Sequence, residues 1–130
     1  MRKTEEILEF DKIKEKWAQL ALTEAARQRI MEAEPCLSET ELALRQQETT
    51  EARTLLEQEG TPPLVSMEGI GTLLAVASRG DCLTAAQLEQ IESALTAVKR
   101  LKDYLNRGKA LELSLPYYEE NLDGLAQLRE

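Results

Sequence analysis

The 130-residue chain is long enough for a single helical domain with one core, and its 24 acidic and 16 basic residues give a net charge of −8 that repels phosphate backbones. This charge disfavours a dedicated nucleic-acid reader. Histidine is absent, so the commonest general base and metal ligand are missing and a histidine-dependent enzyme is disfavoured. Leu, Ala, Glu, Gln, Lys and Arg dominate and aromatic residues make up only 4%, which predicts an all-α fold of five to six amphipathic helices.

Two predicted helices precede Pro35. Apolar residues at steps of three and four predict helix one from Thr4 to Ala21, with Trp17 pointing into the core. Asp11 is an alternative N-cap that would mark a restart after Phe10. Helix two begins at Thr23 and is ended by Pro35, which forces the residue before it away from helical backbone angles.

Helix three opens at Ser38, where a capping box and a hydrophobic staple coincide. Gly60 supplies its stop. The consecutive prolines that follow cannot continue a helix, so the sequence predicts a rigid elbow at 60–65. A short helix four then runs from near Ser66 to Gly80.

The strongest helix signal lies between Leu83 and Gly108. Thr84 begins it with a capping box, and Gly108 is placed to end it in the left-handed conformation. We expect its apolar face to pack against helices one and three. That face contains Leu88, Ile91, Leu95, Val98, Leu101 and Leu105.

A further amphipathic pattern begins at Leu115, with Pro116 suited to a first helical turn. The pattern is incomplete at Glu130, so we expect the 130 residues to be a fragment of a longer protein. Cys36 and Cys82 have no CxxC or Cys/His cluster around them and are expected to be reduced thiols. No apolar run approaches the length of a membrane span, which favours a cytoplasmic protein without a membrane partner.

Basic residues cluster in and just after the last turns of helix five. Cations at this end of a helix are favoured by its dipole, and the alternative explanation is a surface that faces phosphate groups. No catalytic carboxylate pair, cofactor site or metal site is predicted, and no GxxxxGK[ST] loop is present. The cluster consists of Lys99, Arg100, Lys102, Arg107 and Lys109.

Four segments, taken in order, resemble the N-terminal region of the second bacterial MutS family (MutS type II), whose members lack the mismatch-recognition domain. They are LEFDKIKEKWAQLA at 8–21, TEAARQRIMEAEPCLSETELALRQQETTEARTLL at 23–56, GTPPL at 60–64 and RGDCLTAAQLEQIESALTAVKRLKDYL at 79–105. The resemblance covers nearly the whole chain, although its motifs are packing and capping patterns and not catalytic signatures.

The resemblance implies an irregular bundle that forms part of the helical core, or lever, of a much larger ATPase. Members of the family have a clamp of long helices, an ATPase domain that binds ATP and Mg and dimerises, and usually a C-terminal Smr nuclease domain. They are linked to mismatched or branched DNA, to suppression of recombination and to stalled ribosomes. The parent protein is therefore expected to be a homodimer whose remaining domains are the partners of this region.

None of the family's ATPase or nuclease motifs lies in these 130 residues, so no catalytic residue is transferred from the resemblance. The chain alone is expected to be noncatalytic, to need no cofactor and to bind nucleic acid weakly or not at all. The alternative is a free-standing helical adaptor that binds a partner helix through the Leu88–Leu105 face. A Walker motif downstream would favour the lever, and a stop codon the adaptor.

Overall fold

A computed structural model describes residues 6–129 of the chain, and this part is all-α with no β-strand, as predicted. No helix among these residues is both long enough and apolar enough to cross a bilayer. The α-helices are α1 (Phe10–Ala18), α2 (Glu24–Met31), α3 (Glu39–Glu59), α4 (Ile70–Ser78), α5 (Ala85–Gly108) and α6 (Ala126–Arg129), with 3-10 helices at Lys109–Leu111 and Leu115–Asn121.

The chain divides into two compact units. The first contains the described residues up to Pro35 together with Ser66–Gly69, and the second contains Cys36–Val65 and the chain from Ile70 onward. The prediction of one domain over 1–130 stays a prediction.

In the first unit, α1 begins at Phe10 because Glu9 adopts a left-handed conformation with φ +54°. A helix therefore starts close to the alternative start, but the predicted Asp11 cap is wrong, because Asp11 lies in the first turn of α1. The predicted first residue of helix one, Thr4, lies outside the described residues. α2 begins as predicted, with the Thr23 hydroxyl accepting from the Ala26 N–H at 3.2 Å. It ends at Met31, earlier than the proline stop requires.

The prediction that Trp17 lies in the core is wrong, because its side chain is 50% exposed. The buried positions of α1 are Lys14 and Ala18, so the buried face is rotated by about one residue from the apolar stripe. The Lys14 ammonium donates to the carbonyls of Met31 and Ala33 at 3.3 and 3.4 Å. A lysine is suited to this place because the last carbonyls of a helix have no partners within it and attract a cation.

In the second unit, the two long helices start where the capping residues predicted. The Ser38 hydroxyl accepts from the Glu41 N–H at 3.4 Å, and α3 ends at Gly60, whose φ is +82°. Thr84 and Gln87 form both bonds of the capping box of α5, at 2.9 and 3.3 Å. Helix four starts later than expected, because Gly69 has φ +78° and the first helical residue is Ile70.

The core of the second unit is formed where α5 contacts α3, α4 and the two 3-10 helices. Leu55 and Tyr104 are each 3% exposed, and Pro116 is fully buried. Helices five and three are in contact, as predicted, and the structure shows this at Tyr104 and Gly108. Contact through Leu88, Ile91, Leu95 and Val98, and contact with helix one, stay predictions. Leu88 is 55% exposed, so the apolar face is not covered at its N-terminal end.

Gly108 does not end α5 in the way its position indicated. Its φ is −65°, an ordinary helical value, and the chain continues into the 3-10 helix Lys109–Leu111. The left-handed residue is Glu112, at φ +56°. Glycine is required at 108 for a different reason: a Cβ there would overlap the Leu55 side chain and lie 3.2 Å from Cγ of Pro116.

The pattern that begins at Leu115 folds as the 3-10 helix Leu115–Asn121, followed by a non-helical segment and the short helix α6. The amphipathic pattern is therefore not one continuous α-helix, although Pro116 does occupy the first turn as predicted. The i to i+3 geometry of a 3-10 helix changes which residues share a face, and this is why a 3.6-residue pattern does not persist here.

Candidate functional site

The predicted basic cluster occupies two sides of α5, not one. At about 100° per residue, Lys99, Lys102 and Lys109 fall within roughly a quarter-turn of one another. Arg100 and Arg107 are seven residues apart and share another face, about 140–180° around the helix axis from Lys102 and Lys109 and about 80–100° from Lys99. A cluster that is contiguous in sequence is thus divided between two surfaces.

On the first side, Lys102 and Lys109 converge on a carboxylate from the 3-10 helix Leu115–Asn121. Lys109 donates to Glu119 Oε1, and Lys102 Nζ lies 3.8 Å from Glu119 Oε2. The side chain of Glu119 is 9% exposed, and its Oε2 has no hydrogen-bond partner. The hydrogen bond from Lys109 is the main cause that lowers the pKa of Glu119, and the same contact raises the pKa of Lys109.

Further contacts fix both lysines. Lys102 also donates to the Leu122 carbonyl at 3.2 Å, and Lys109 Nζ lies 5.0 Å from the centre of the Tyr117 ring. Lys99 is exposed and adjacent to Gly124, where a Cβ would meet Lys99 Cβ at 3.6 Å. The segment after α5 therefore runs along this lysine side of the helix.

On the second side, Arg107 points toward the end of α3. Its Nε lies 3.4 Å from Glu59 Oε2, and its guanidinium is 5.8 Å from the centre of the Tyr104 ring. Arg100 is exposed. Of the five predicted residues, three are thus paired with carboxylates of the same unit, and only Lys99 and Arg100 remain open to a ligand without exchanging a partner.

Sequence reasoning missed the most extensive polar contact of the second unit, which is centred on Glu51 of α3. This carboxylate, in a residue only 7% exposed, accepts from the Leu115 N–H at 2.7 Å and from the Ser114 hydroxyl at 2.9 Å. Gln47 adds a third donor at 3.0 Å. The backbone bond from Leu115 is the main cause that lowers the pKa of Glu51.

Two tyrosines make further cross-links of the same kind. The buried Tyr104 hydroxyl donates to the Gly60 carbonyl at 2.7 Å and lies 3.3 Å from the Leu55 carbonyl, so it ties the C-terminal part of α5 to the end of α3. Burial is the main cause that raises the pKa of Tyr104. Tyr118 donates to Glu48 at 2.6 Å, and this bond raises the pKa of Tyr118.

These contacts join elements of the second unit. Glu51 and Glu48 accept from backbone, amide or hydroxyl donors, and Glu119 is neutralised by Lys109 and Lys102. Within residues 6–129, no group of three or more Cys, Asp or Glu side chains is placed to hold a metal ion. Cys36 and Cys82 are free thiols.

Comparison with known proteins gives relatives that include several endonucleases MutS2. The chain is 32% identical over 114 residues to the endonuclease MutS2 of Clostridium botulinum strain Alaska E43, a match that covers 88% of this chain and 14% of that protein. It is 34% identical over 114 residues to the endonuclease MutS2 of Clostridium beijerinckii, with the same coverage. For a type A strain of C. botulinum, the identity is 32% over 126 residues, which are 97% of this chain and 16% of the relative.

The chain spans about one-seventh of the length of these relatives, 14 to 16%. No protein-family model matches it, and no solved structure matches it significantly.

Proposed function

Because this chain belongs to the MutS2 family, we propose that it is a noncatalytic part of the helical core, or lever, of a larger MutS-like ATPase. In this role it transmits changes between a nucleotide-binding end and a DNA clamp. The parent acts on mismatched or branched DNA in the suppression of recombination, or on stalled ribosomes, and binds ATP and Mg in domains outside this chain. The partners of the segment are those remaining domains, and the parent is a homodimer.

The observation that best supports a mechanical role is the cross-linking of the two long helices. α3 and α5 have 21 and 24 residues, and at about 1.5 Å per residue they extend roughly 30 to 36 Å. The hydroxyl of Tyr104, a residue only 3% exposed, joins them through its bond to the Gly60 carbonyl, and Glu51 fastens the start of the following 3-10 helix to α3. Such bonds resist sliding, because breaking one leaves a buried polar group without a partner.

The test is to weaken one cross-link in the full-length protein. Tyr104→Phe removes the hydroxyl and its bond to the Gly60 carbonyl, at a cost of about 0.5–1.5 kcal/mol, because Gly60 is exposed and can bond to water instead. Fluorescence energy transfer between dyes on the clamp and on the ATPase domain reports the response to ATP. We expect a smaller ATP-dependent change in transfer at nearly unchanged ATP hydrolysis, because the chemistry lies elsewhere.

Tyr117→Phe is the matched control. The Tyr117 side chain is 54% exposed and packs its ring, not its hydroxyl, against Lys109, so this change should leave the transfer signal intact. If Tyr104→Phe lowers the stability of the second unit and the ATP-dependent change keeps its full size, the lever role is refuted.

A second function, from a different class, is favoured by one observation. Leu88 at the start of the α5 face is 55% exposed, as is Leu74 of α4 at 57%, and such side chains are available to a partner helix in a free-standing adaptor. Reading the coding frame past Glu130 separates the two functions. A Walker motif downstream supports the lever, whereas a stop codon supports the adaptor.

A further inference from the structure

The lysine side of α5 combines an excess of cations with one buried carboxylate. Lys102 and Lys109 share Glu119 as the one carboxylate directly paired with them, and Glu120 acts on Lys109 from farther away. Glu119 Oε2 is buried and lies 3.8 Å from Lys102 Nζ, too far for a hydrogen bond. The two ammonium groups thus have more donors than this carboxylate uses. An anion with more acceptor oxygens, such as a phosphate, would use them more fully.

We propose that Glu119 is an internal competitor that occupies an anion site formed by Lys102 and Lys109, and that the ligand it excludes is a backbone phosphate of a nucleic acid. The proposal does not depend on the lever role. It explains how a surface with suitable cations stays closed to phosphate in a chain whose overall charge is −8.

Lys99 is the reason to choose a polymer and not a free phosphate ion. It is exposed, lies three residues before Lys102 on the same side of α5, and extends the row of cations beyond the reach of Glu119. From Lys99 to Lys109 the helix rises by about 15 Å. A ligand with successive phosphates gains from all three lysines, whereas a single phosphate ion can use only the pair that Glu119 already neutralises.

Binding is opposed because the two lysines must exchange partners. Their long side chains can turn outward without moving α5, since the side chains of Lys102 and Lys109 are 40% and 26% exposed. The exchange would leave the Glu119 carboxylate buried without a cation, which is strongly unfavourable. The start of the 3-10 helix stays fixed by Glu51, so the main barrier is the loss of both lysines from Glu119, to which the Lys102 bond to the Leu122 carbonyl and the Lys109 contact with the Tyr117 ring add less.

The expected effect of Glu119→Gln follows from counterion release. Two newly available lysines should steepen the dependence of log affinity on log salt by up to about 1.8 for duplex DNA. Extrapolated from 1 M to about 0.15 M salt, that slope corresponds to a rise in affinity of about 30-fold. The measurement is fluorescence anisotropy of a short labelled DNA duplex titrated with the 130-residue chain at several salt concentrations.

Glu89→Gln is the matched control. It makes the same change in net charge at an exposed position of the same helix, about 20 Å from Lys102 along the axis and beyond the Debye length of about 8 Å. Its affinity should stay near that of the unchanged chain. An equal gain from Glu89→Gln and Glu119→Gln would overturn the proposal, since net charge alone would then account for the effect.

The lysines are tested directly in the same assay. Lys102→Gln with Lys109→Gln should abolish the gain in the Glu119→Gln background, and a gain that survives overturns the proposal. With Glu119 unchanged and at low salt, Lys102→Gln with Lys109→Gln should lower DNA affinity less than Lys99→Gln with Arg100→Gln does, because Glu119 already occupies Lys102 and Lys109. An equal or larger loss would contradict occupation by Glu119, and this second comparison does not require Glu119→Gln to fold.

A final arm separates the two sources of phosphate. At equal ionic strength, sodium phosphate should displace DNA from the Glu119→Gln protein no better than sodium chloride does. Stronger displacement by phosphate would show that the site takes the free ion, and would overturn the assignment to a nucleic-acid backbone.

Discussion

Gly108→Ala brings two effects of opposite sign to one residue near the end of α5. Alanine is a better helix former than glycine, which favours the variant by up to about 1 kcal/mol. Its Cβ, however, would overlap the side chain of Leu55 and lie 3.2 Å from Cγ of Pro116. Both neighbours are buried, with Leu55 3% exposed, so neither can move away freely. Overpacking of this kind costs about 1–3 kcal/mol, and we expect a net loss of about 1 kcal/mol.

Urea unfolding of the chain measures this difference, and Gly71→Ala is the matched control. Gly71 lies in the first turn of α4, also in the second unit, but a Cβ there meets nothing within 4 Å, so only the gain in helix propensity applies. We expect Gly71→Ala to raise the free energy of unfolding and Gly108→Ala to lower it. In a Leu55→Ala background, Gly108→Ala should lose most of its cost, since the two sites are coupled. The packing argument fails if Gly108→Ala is as stabilising as Gly71→Ala.

Three further outcomes are expected. Leu95→Ala should lower the free energy of unfolding by about 1–2.5 kcal/mol, half of the value for a fully buried leucine, because this residue is half-buried; an unchanged unfolding midpoint would show that the stripe faces water. The Leu115 N–H lowers the pKa of Glu51 below its ordinary 4.5, so its stabilisation is present above pH 4.5 and is lost as the pH falls through the lowered value. Glu51→Gln should therefore lose less stability than the unchanged chain on acidification below pH 4.5, and equal losses would contradict the bond. The isolated chain should not hydrolyse ATP, and turnover proportional to the concentration of purified protein would refute this.

The features that could be predicted from the sequence depend on neighbouring residues. Thr23, Ser38 and Thr84 each begin a helix, because a capping hydroxyl bonds to an N–H only three residues ahead. Gly60 ends α3 for an equally local reason, its positive φ. These helix starts and this helix end do not depend on tertiary structure, and the structure confirms the predictions.

Predictions that depended on distant partners were less accurate. Trp17 follows the apolar stripe but is half-exposed, while Lys14 is buried because the carbonyls of Met31 and Ala33 need a cation. Gly108 matched a helix stop in sequence, yet its neighbours Leu55 and Pro116 decide its role. A pattern in one helix cannot specify which groups another segment brings against it.

The same limit applies to the basic cluster, where it changes the functional argument. The sequence correctly placed five cations near the end of α5, and from this density alone a phosphate-facing surface is a reasonable hypothesis. Helical periodicity already divides the five between two sides, which could have been worked out from the spacing. The contact of Glu119 with Lys102 and Lys109 could not be worked out in this way, because it depends on the position of the 3-10 helix. Glu51 fixes the start of that helix through Leu115, 64 residues away in the chain. Whether these cations can bind phosphate is therefore decided by a carboxylate that lies outside the cluster.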